Sequence, residues 1–192
     1  RDGLALHVID LPAAAQRLVW LHETLPTLEG TGIIYCLTVR DVEQVANWLQ
    51  LHEHDVLPYT GDADGDDRLD AEEKLQHNEV KALVATSALG MGYDKPDLAF
   101  VIHFQAPGSP VAYYQQVGRA GRQLDMSVGV LLRGAEDSDI QDWFIKTAFP
   151  DEQDVDARGI IHIDRSALRE AAEETGIDPV EIKKEDGVYL TR

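Results

Sequence analysis

Short apolar runs alternate with amphipathic segments along most of this chain, and the alternation limits the possible folds more than any other feature. The run Gly32–Leu37 carries no charge and is typical of a strand buried on both faces of a parallel sheet. Comparable runs occupy residues 4–9, 55–59, 81–85, 98–104 and 128–132. Segments with helical spacing separate these runs. The pattern predicts an α/β fold with a doubly wound, mostly parallel sheet of about six strands and helices on both faces.

Four residues predict where two helices begin and where one strand lies in the sheet. Thr38 is a suitable N-cap for a helix over the residues that follow it. Ser109 and Pro110 supply an N-cap and a first-turn proline for another helix. Pro58 cannot donate a hydrogen bond to a neighbouring strand, so the strand that contains it is predicted to lie near an edge of the sheet.

Composition narrows the class of protein. The chain has 192 residues, 44% of them hydrophobic, and a formal net charge of −18. No apolar run approaches the length of a membrane span, and no membrane partner is predicted. Because Cys36 is the single cysteine, a disulfide framework or a cysteine-ligated zinc site within the chain is excluded, and the expected location is cytoplasmic. The acidity argues against strong sequence-independent nucleic-acid binding by this chain alone, because such binding requires many Lys and Arg residues.

Gln115–Arg122 has the pattern Gln-x-x-Gly-Arg-x-x-Arg and places two guanidinium groups three residues apart. The spacing puts Arg119 and Arg122 on one helix face, or on one lip if the helix ends at Gly118. A planar, permanently charged guanidinium suits the negative charge of a phosphoryl group in transfer. The alternative is a surface arginine pair that neutralises some of the many carboxylates.

Two segments resemble motifs of superfamily-two helicases. Gln115–Arg122 resembles the sixth motif of these enzymes, and Thr86–Pro96, with its Gly-Met-Gly-Tyr-Asp-Lys-Pro run, resembles the fifth motif in its RecQ-family form. The resemblance extends over roughly residues 30–133. It implies that residues 1–149 are the second RecA-like domain of an ATP-dependent DNA helicase. Residues 150–192 are then expected to form a linker and a small helix–hairpin extension that could be part of a winged helix.

The resemblance also implies roles for residues at the nucleotide. Arg119 and Arg122 would reach the γ-phosphate of ATP from this domain, with Arg122 as the arginine finger. Gln115, Gly92 and Asp94 would lie near the nucleotide.

A second set of residues is implied to contact the phosphates of a DNA strand, namely Thr38, Arg40, Gly61 and Thr86. For Thr86 the alternative is a hydroxyl satisfied by its own strand-end turn. For Gly61 the alternative is a glycine required only by a turn.

The phosphate-binding loop of an ATPase is missing from the sequence, which contains no G-x-x-x-x-G-K-[ST] segment. The resemblance therefore implies that ATP and Mg²⁺ are held mainly by a first RecA-like lobe of the same polypeptide. That lobe, together with single-stranded and duplex DNA, is the expected partner, and this chain alone is expected to be inactive. Two alternatives remain open, an RNA helicase lobe of similar design and a non-catalytic RecA-like protein-interaction module.

The acidic stretch Asp62–Glu73 nearly fits an EF-hand calcium loop, with carboxylates at its first, third and fifth positions and Glu at its twelfth. Asp67 stands at the sixth position, where the sharp turn of that loop requires glycine. We favour a solvated acidic loop that leads into a helix from about Arg68 to His77, with Asp66 or Asp67 as its N-cap.

No metal site is predicted from the histidines. His52 and His54 are two residues apart, which is the wrong spacing for one helix face, and no other histidine is expected to pair with them. His103 lies in an apolar run and is predicted to be a core residue. Packing roles, rather than the stacking of bases, are also predicted for five aromatic residues, namely Trp20, Trp48, Tyr113, Tyr114 and Trp143, although Tyr113 or Tyr114 could lie near the cleft.

Overall fold

The computed structural model describes residues 3–89, 93–135 and 137. They form a six-stranded sheet in the order β1-β6-β5-β2-β4-β3, and every paired strand runs parallel to its neighbour. The strands are β1 (Leu4–Asp10), β2 (Gly32–Tyr35), β3 (Val56–Tyr59), β4 (Ala82–Ala85), β5 (Phe100–His103) and β6 (Ser127–Arg133). The helices are α1 (Ala14–Thr24), α2 (Val39–Leu51), α3 (Gly65–Gln76) and α4 (Pro110–Val117). A short 3₁₀ helix, Leu25–Thr27, extends α1.

The hydrophobic core lies on both faces of the sheet. Every residue of β2, β4 and β5 is buried, as expected for central strands of a parallel sheet. Helices α1 and α2 pack on one face through residues such as Leu21 and Leu49. Helix α3 packs on the other face through Ala71 and Leu75. The predicted doubly wound α/β architecture is therefore confirmed.

Two strand positions follow directly from side-chain chemistry. Pro58 lies in β3, at one edge of the sheet, as the missing N–H of proline predicts. Gly32 lies in a central strand, where an added Cβ would overlap the ring and the carbonyl oxygen of Phe100. The close pairing of β2 with β5 therefore requires glycine at this position.

Helix starts follow the predicted caps in two cases. The Thr38 hydroxyl accepts a hydrogen bond from the Asp41 N–H at 3.1 Å, and the Ser109 hydroxyl accepts one from the Ala112 N–H at the same distance. Pro110 occupies the first turn of α4, where its missing N–H costs nothing.

The predicted start of α3 was wrong. The helix begins at Gly65, and its N-cap is Asp64, whose carboxylate accepts a hydrogen bond from the Asp66 N–H at 3.4 Å. Asp66 and Asp67 instead lie in the first turn, where the positive end of the helix dipole favours acidic side chains. Because most of Asp62–Glu73 is helical, the stretch is not an EF-hand loop.

The contacts within the chain divide it into two compact units, Arg1–Asp137 and Ser138–Arg192. Trp143, the predicted domain boundary between residues 149 and 150 and the predicted helix–hairpin extension lie outside the described residues, so these predictions stay predictions. Within the part of the chain that the structure describes, no helix is long and apolar enough to cross a membrane.

Candidate functional site

Three of the residues predicted to contact DNA lie at the carboxyl ends of adjacent strands. Thr38 follows β2, Thr86 follows β4, and Gly61 follows β3, and these strands are neighbours in the order β2-β4-β3. The Thr86 N–H donates to the Tyr59 carbonyl at 3.3 Å, which joins the ends of β4 and β3. An added Cβ on Gly61 would lie 3.5 Å from the Cβ of Ala88, so the two turns pack together. The structure thus brings these residues to one edge of the sheet, where parallel α/β sheets bind ligands.

The hydroxyls at this edge differ in what they can still donate. The Thr86 hydroxyl oxygen accepts a hydrogen bond from the Ala88 N–H at 3.2 Å. This is the strand-end turn that the alternative interpretation of Thr86 predicts. The Thr86 hydroxyl proton makes no hydrogen bond to another described residue. The Thr38 hydroxyl donates to Asp41 Oδ2 at 2.7 Å and also accepts from the Asp41 N–H, so both of its functions serve the helix cap. Arg40 lies exposed in the first turn of α2 and brings a positive charge to this edge.

Gln105 is a buried polar residue at this edge that sequence reasoning did not identify. Its Nε2 donates to Asp41 Oδ2 at 3.0 Å, and its Oε1 accepts from the Leu37 N–H at 3.0 Å. These bonds tie the turn after β2 to the turn after β5. A glutamine following an apolar run gives no local signal of this contact, which depends on the pairing of β2 with β5.

A buried ion pair holds a neighbouring part of the same edge. Arg17 in α1 is fully buried, with Nη1 3.5 Å from Asp137 Oδ1 and its guanidinium carbon 4.6 Å from the centre of the Phe104 ring. Burial lowers the pKa of Arg17, against the opposing effect of the Asp137 carboxylate. Asp137 Oδ2 also accepts from the N–H groups of Ala106 and Gly134, each at 3.0 Å. The pair therefore fixes the loops after β5 and β6.

The two arginines of the Gln115–Arg122 segment lie beyond the helix rather than on one of its faces. Helix α4 ends at Val117, and Gly118 is its C-cap. Arg119 Nη1 donates to the Tyr93 carbonyl at 3.0 Å, and Arg122 Nη1 lies 2.8 Å from Asp94 Oδ1. Both guanidiniums therefore bind consecutive residues of one segment. This is the lip arrangement, the second of the two arrangements that the spacing allowed.

The backbone beside the arginines is bonded to the segment that precedes β5. The N–H groups of Gly121 and Gln123 donate to the carbonyls of Leu98 and Pro96 at 2.7 and 2.9 Å, in the segment that leads into the amino end of β5. Ala120, between the arginines, belongs to the core layer that contains α3. The structure therefore brings Arg119, Arg122 and Asp94 together on the α3 side of the sheet.

Gln115 and Gly92 are not placed at the arginines by any described contact. Gln115 is exposed on α4, and Gly92 lies outside the described residues. The neighbouring Gln116 makes a partly buried contact instead, since its Oε1 is 2.9 Å from Nε2 of His103.

His103 is a core residue, as predicted. It is 1% exposed, its ring stacks on Tyr35 with the ring centres 5.5 Å apart, and burial lowers the pKa of its imidazole to about 4. Of the aromatic residues predicted to pack, Trp20 and Trp48 do pack against the core, whereas Tyr114 is 68% exposed, so the prediction for Tyr114 was wrong.

A buried lysine anchors the segment that the arginines bind. The Lys95 side chain is fully buried, and its Nζ lies 2.8 Å from Asp97 Oδ1 and 3.4 Å from the Gln76 carbonyl. Asp97 Oδ2 accepts from Asn78 Nδ2 at 3.3 Å, and Asn78 Oδ1 accepts from the Thr31 hydroxyl at 2.9 Å. The hydrogen bond from Lys95 is the main cause that lowers the pKa of Asp97. These contacts connect the segment to the end of α3.

The expectation that no histidine pairs with His52 or His54 was wrong. His22 in the last turn of α1 places its Nδ1 2.8 Å from Nε2 of His54. Helix packing, which sequence spacing does not show, brings these residues together. Among residues 3–89, 93–135 and 137, no group of three or more His, Cys, Asp or Glu residues is arranged to hold a metal ion.

Comparisons with known proteins agree with the motifs. The family model described as "Helicase conserved C-terminal domain" matches residues 16–123. The probable ATP-dependent DNA helicase RecS of Bacillus subtilis is 33% identical over 147 residues, which are 76% of this chain and 30% of that protein. The ATP-dependent DNA helicase RecQ of the same bacterium is 34% identical over 122 residues, 64% of this chain and 21% of that protein.

A solved structure with a similar fold is the E. coli DEAD-box protein SrmB, crystallised with the regulator of ribonuclease activity A. It matches with a TM-score of 0.65 and 25% identity, over 71% of this chain and 81% of that chain.

Proposed function

Because the chain belongs to the helicase conserved C-terminal domain family, with RecQ-like relatives and a RecA-like fold, we propose that it is the second motor lobe of an ATP-dependent DNA helicase. The chain spans less than a third of the length of RecS, so the activity of the whole protein is part of the proposal. The observation that carries it is that Arg119 and Arg122 both bind residues 93–94, in a chain with no phosphate-binding loop.

Arg122 is the arginine finger in this proposal. Its side chain is 48% exposed, and its partner Asp94 is 58% exposed, so the ion pair faces water and exchanges at small cost. Arg119 is more buried and holds the Tyr93 carbonyl, which suits a residue that shapes the site. When the first lobe presents ATP with Mg²⁺, Arg122 would leave Asp94 and bind the γ-phosphate.

The residues of this chain fit the nucleotide only as one wall of its site. They supply guanidiniums that can bind the transferred phosphoryl group. The phosphate-binding loop and the Mg²⁺ ligands have to come from the first lobe. Asp94, Gly92 and Gln115 are proposed to lie near the sugar and phosphates. The isolated chain should therefore bind ATP weakly and hydrolyse none.

The carboxyl edge is the proposed DNA-contacting surface. Thr86 can donate its hydroxyl proton to a phosphate, Gly61 lets a strand approach closely, and Arg40 supplies charge. Thr38 is proposed to act through the exposed start of α2, because its hydroxyl already serves the helix cap. Because the chain has a net charge of −18, it repels DNA phosphates except where these few groups contact them. The first lobe would therefore supply much of the affinity for DNA.

The test is the ATPase rate of the joined motor, with the first lobe supplied in the same polypeptide or in trans. Arg122→Ala should lower turnover on the order of 10³-fold. Arg133→Ala is the matched control, because Arg133 forms a similar exposed pair with Asp10 at 2.6 Å. If Arg122→Ala left ATP turnover unchanged, Arg122 would have no role in ATP hydrolysis. That result would favour the alternative that the chain is a non-catalytic RecA-like protein-interaction module. Strong ATPase activity of the isolated chain would contradict the division of the site between two lobes.

The nucleic acid is tested separately by unwinding of DNA and RNA duplexes by the joined motor. The proposal expects DNA to be the better substrate. Preference for RNA would leave the motor assignment intact and replace the substrate with the alternative that the sequence left open.

A further inference from the structure

Helix α4 leads directly into the arginine turn, which we define as Gly118–Arg122, yet little of this helix is buried. Of its eight residues, all of them described, only Val117 is buried. A Cβ added at Gly129 would overlap Cγ2 of Val117, so Val117 packs directly on the backbone of β6. An element with few buried apolar contacts is easily displaced. Partly buried contacts must therefore contribute to the orientation of α4.

His103, at the carboxyl end of β5, makes two such contacts with α4. Gln116 Oε1 is 2.9 Å from His103 Nε2, and because an amide oxygen only accepts, Nε2 carries the proton and donates it. The ring centre of Tyr113 is 5.0 Å from that of His103. Tyr113 and Gln116 are three residues apart, so they lie on one face of the helix. His103 therefore determines which face of α4 is turned towards the sheet.

His103 is a firm anchor because it is packed into the sheet. Tyr35 is its partner in the register of β2 with β5, and the two buried rings stack with their centres 5.5 Å apart. Close-packed core side chains sit in well-defined rotamers. The same rings lie close to Arg119, since burial raises the pKa of the Tyr35 phenol to about 12 and the charge of Arg119 opposes this rise. The anchor of α4 is therefore beside the arginine that follows the helix.

Gln116 connects this anchor to the arginine turn. Its side chain binds His103, and its backbone carbonyl accepts a hydrogen bond from the Arg119 N–H at 3.2 Å. At the other end of the turn, the Gly121 N–H donates to the Leu98 carbonyl at 2.7 Å. The arginine turn is thus held from both ends, and the bond between Gln116 and His103 is the side-chain contact that holds the end nearer to Arg119.

We propose that Gln116, through its hydrogen bond to His103, is a positioning residue for Arg119 and Arg122. The proposal rests on the function proposed above, in which these arginines bind the transferred phosphoryl group of ATP. A reacting group displaced by about 1 Å can lose about 100-fold in rate. A small rotation of α4 would therefore lower ATP turnover in a chain that remains folded.

The experiment measures steady-state ATP hydrolysis by the joined motor, together with the urea midpoint of each variant. Gln116→Leu removes the acceptor with little change in side-chain volume and should lower kcat about 10–100-fold. The KM for ATP should stay within about threefold, because the first lobe holds most of the nucleotide. Gln116→Glu keeps an acceptor oxygen and should restore kcat to within about threefold of the native rate.

Gln50→Leu is the matched control. Gln50 also lies in a helix, α2, and its Nε2 donates to the Val56 carbonyl of β3 at 2.8 Å in a partly buried hydrogen bond. This variant should lower the urea midpoint and leave kcat unchanged. If loss of a partly buried glutamine bond slowed the motor only by destabilising it, Gln50→Leu and Gln116→Leu would have the same effect on kcat.

A double-mutant cycle tests whether the bond itself is responsible. His103→Leu removes the donor, so it should lower kcat as Gln116→Leu does, and the double variant should be no slower than the slower single variant. Losses in kcat that multiply in the double variant would show that the two residues act separately and would overturn the proposal. A Gln116→Glu variant as slow as Gln116→Leu would overturn it as well.

Arg122→Ala, measured in the same assay, distinguishes this proposal from the proposed function. If Arg122→Ala slows the motor and Gln116→Leu does not, the bond between Gln116 and His103 only stabilises α4, and the positioning role is wrong. If neither variant slows the motor, the proposed function is wrong and the positioning role with it.

Discussion

Arg122 and Asp94 form an ion pair between side chains that are 28 residues apart in the sequence, with Nη1 2.8 Å from Oδ1. About half of each side chain remains in contact with water. Solvent screens such a pair, and exposed pairs typically contribute only about 0–1 kcal/mol to stability. The contact positions the Arg122 guanidinium but binds it only weakly. Weak binding is necessary if this guanidinium is to leave Asp94 and bind a nucleotide.

We therefore expect weak coupling between Arg122 and Asp94 in the free chain. In a double-mutant cycle with Arg122→Gln and Asp94→Asn, measured by urea unfolding, the coupling energy should be below about 1 kcal/mol. A coupling of 2 kcal/mol or more would mark the pair as structural and contradict the proposed exchange with phosphate.

The buried Lys95–Asp97 pair should behave in the opposite way. Asp97→Ala leaves the fully buried ammonium of Lys95 without its carboxylate and should cost about 2–3 kcal/mol, less than a fully buried pair because Asp97 is half exposed. Lys95→Met should cost much less, because it removes the buried charge and keeps a side chain of similar shape. The double variant should recover most of the loss, measured as the free energy of unfolding in urea.

The exposed Lys74–Asp70 pair in α3 is the control for this prediction. Asp70→Ala should leave the urea midpoint almost unchanged, because both side chains are open to water. If Asp97→Ala lowered the free energy of unfolding no more than Asp70→Ala does, the Lys95 ammonium would not depend on Asp97 in the folded chain, and the prediction would be wrong.

His103 predicts a dependence of stability on pH. Burial lowers its pKa from 6.5 to about 4, so between these values the unfolded chain takes up a proton that the folded chain does not. The contribution is fully present above pH 6.5 and falls as the pH decreases towards 4, by about 3 kcal/mol in all.

His103→Gln should flatten this part of the curve of unfolding free energy against pH, since glutamine does not titrate and can still donate to Gln116. His7→Gln, at an exposed position on β1, should leave the curve as it is in the native sequence. An unchanged curve in His103→Gln would mean that another group causes the acid sensitivity.

Gly121 lies between the two arginines with a φ of +65°, and an added Cβ would overlap the Ser127 side chain. Gly121→Ala should therefore cost about 1–3 kcal/mol, from backbone strain and from the displacement of Ser127. In the joined motor it should also lower ATP turnover, because it shifts Arg122 relative to Arg119. The measurements are urea unfolding and steady-state ATPase.

Gly65→Ala serves as the control for this substitution. An added Cβ on Gly65 meets nothing within 4 Å, and the residue lies in the first turn of α3. The variant should be neutral or up to about 1 kcal/mol more stable, since alanine favours the helix. If Gly121→Ala and Gly65→Ala changed the free energy of unfolding equally, the backbone between the arginines would not require glycine at residue 121.

The sequence was a good guide to features that depend on neighbouring residues. Hydrophobic periodicity is a local property, so it predicted the strands, and the missing N–H of Pro58 predicted an edge strand. Thr38 and Ser109 were recognised as caps because the group that each one caps lies three residues away. The start of α3 was misplaced, since several aspartates in a row offer equivalent caps and only the path of the chain selects Asp64.

The tertiary structure decided which side chains meet. Arg119 contacts Tyr93 across 26 residues and His22 contacts His54 across 32, distances over which periodicity and cap chemistry carry no information. Strand order placed the turns of Thr38, Gly61 and Thr86 side by side and left the arginines on the α3 face of the sheet. The sequence by itself determined the elements and the motifs, because these follow from local chemistry. Only the packing of strands and helices determined the sites, because packing alone joins residues that are distant along the chain.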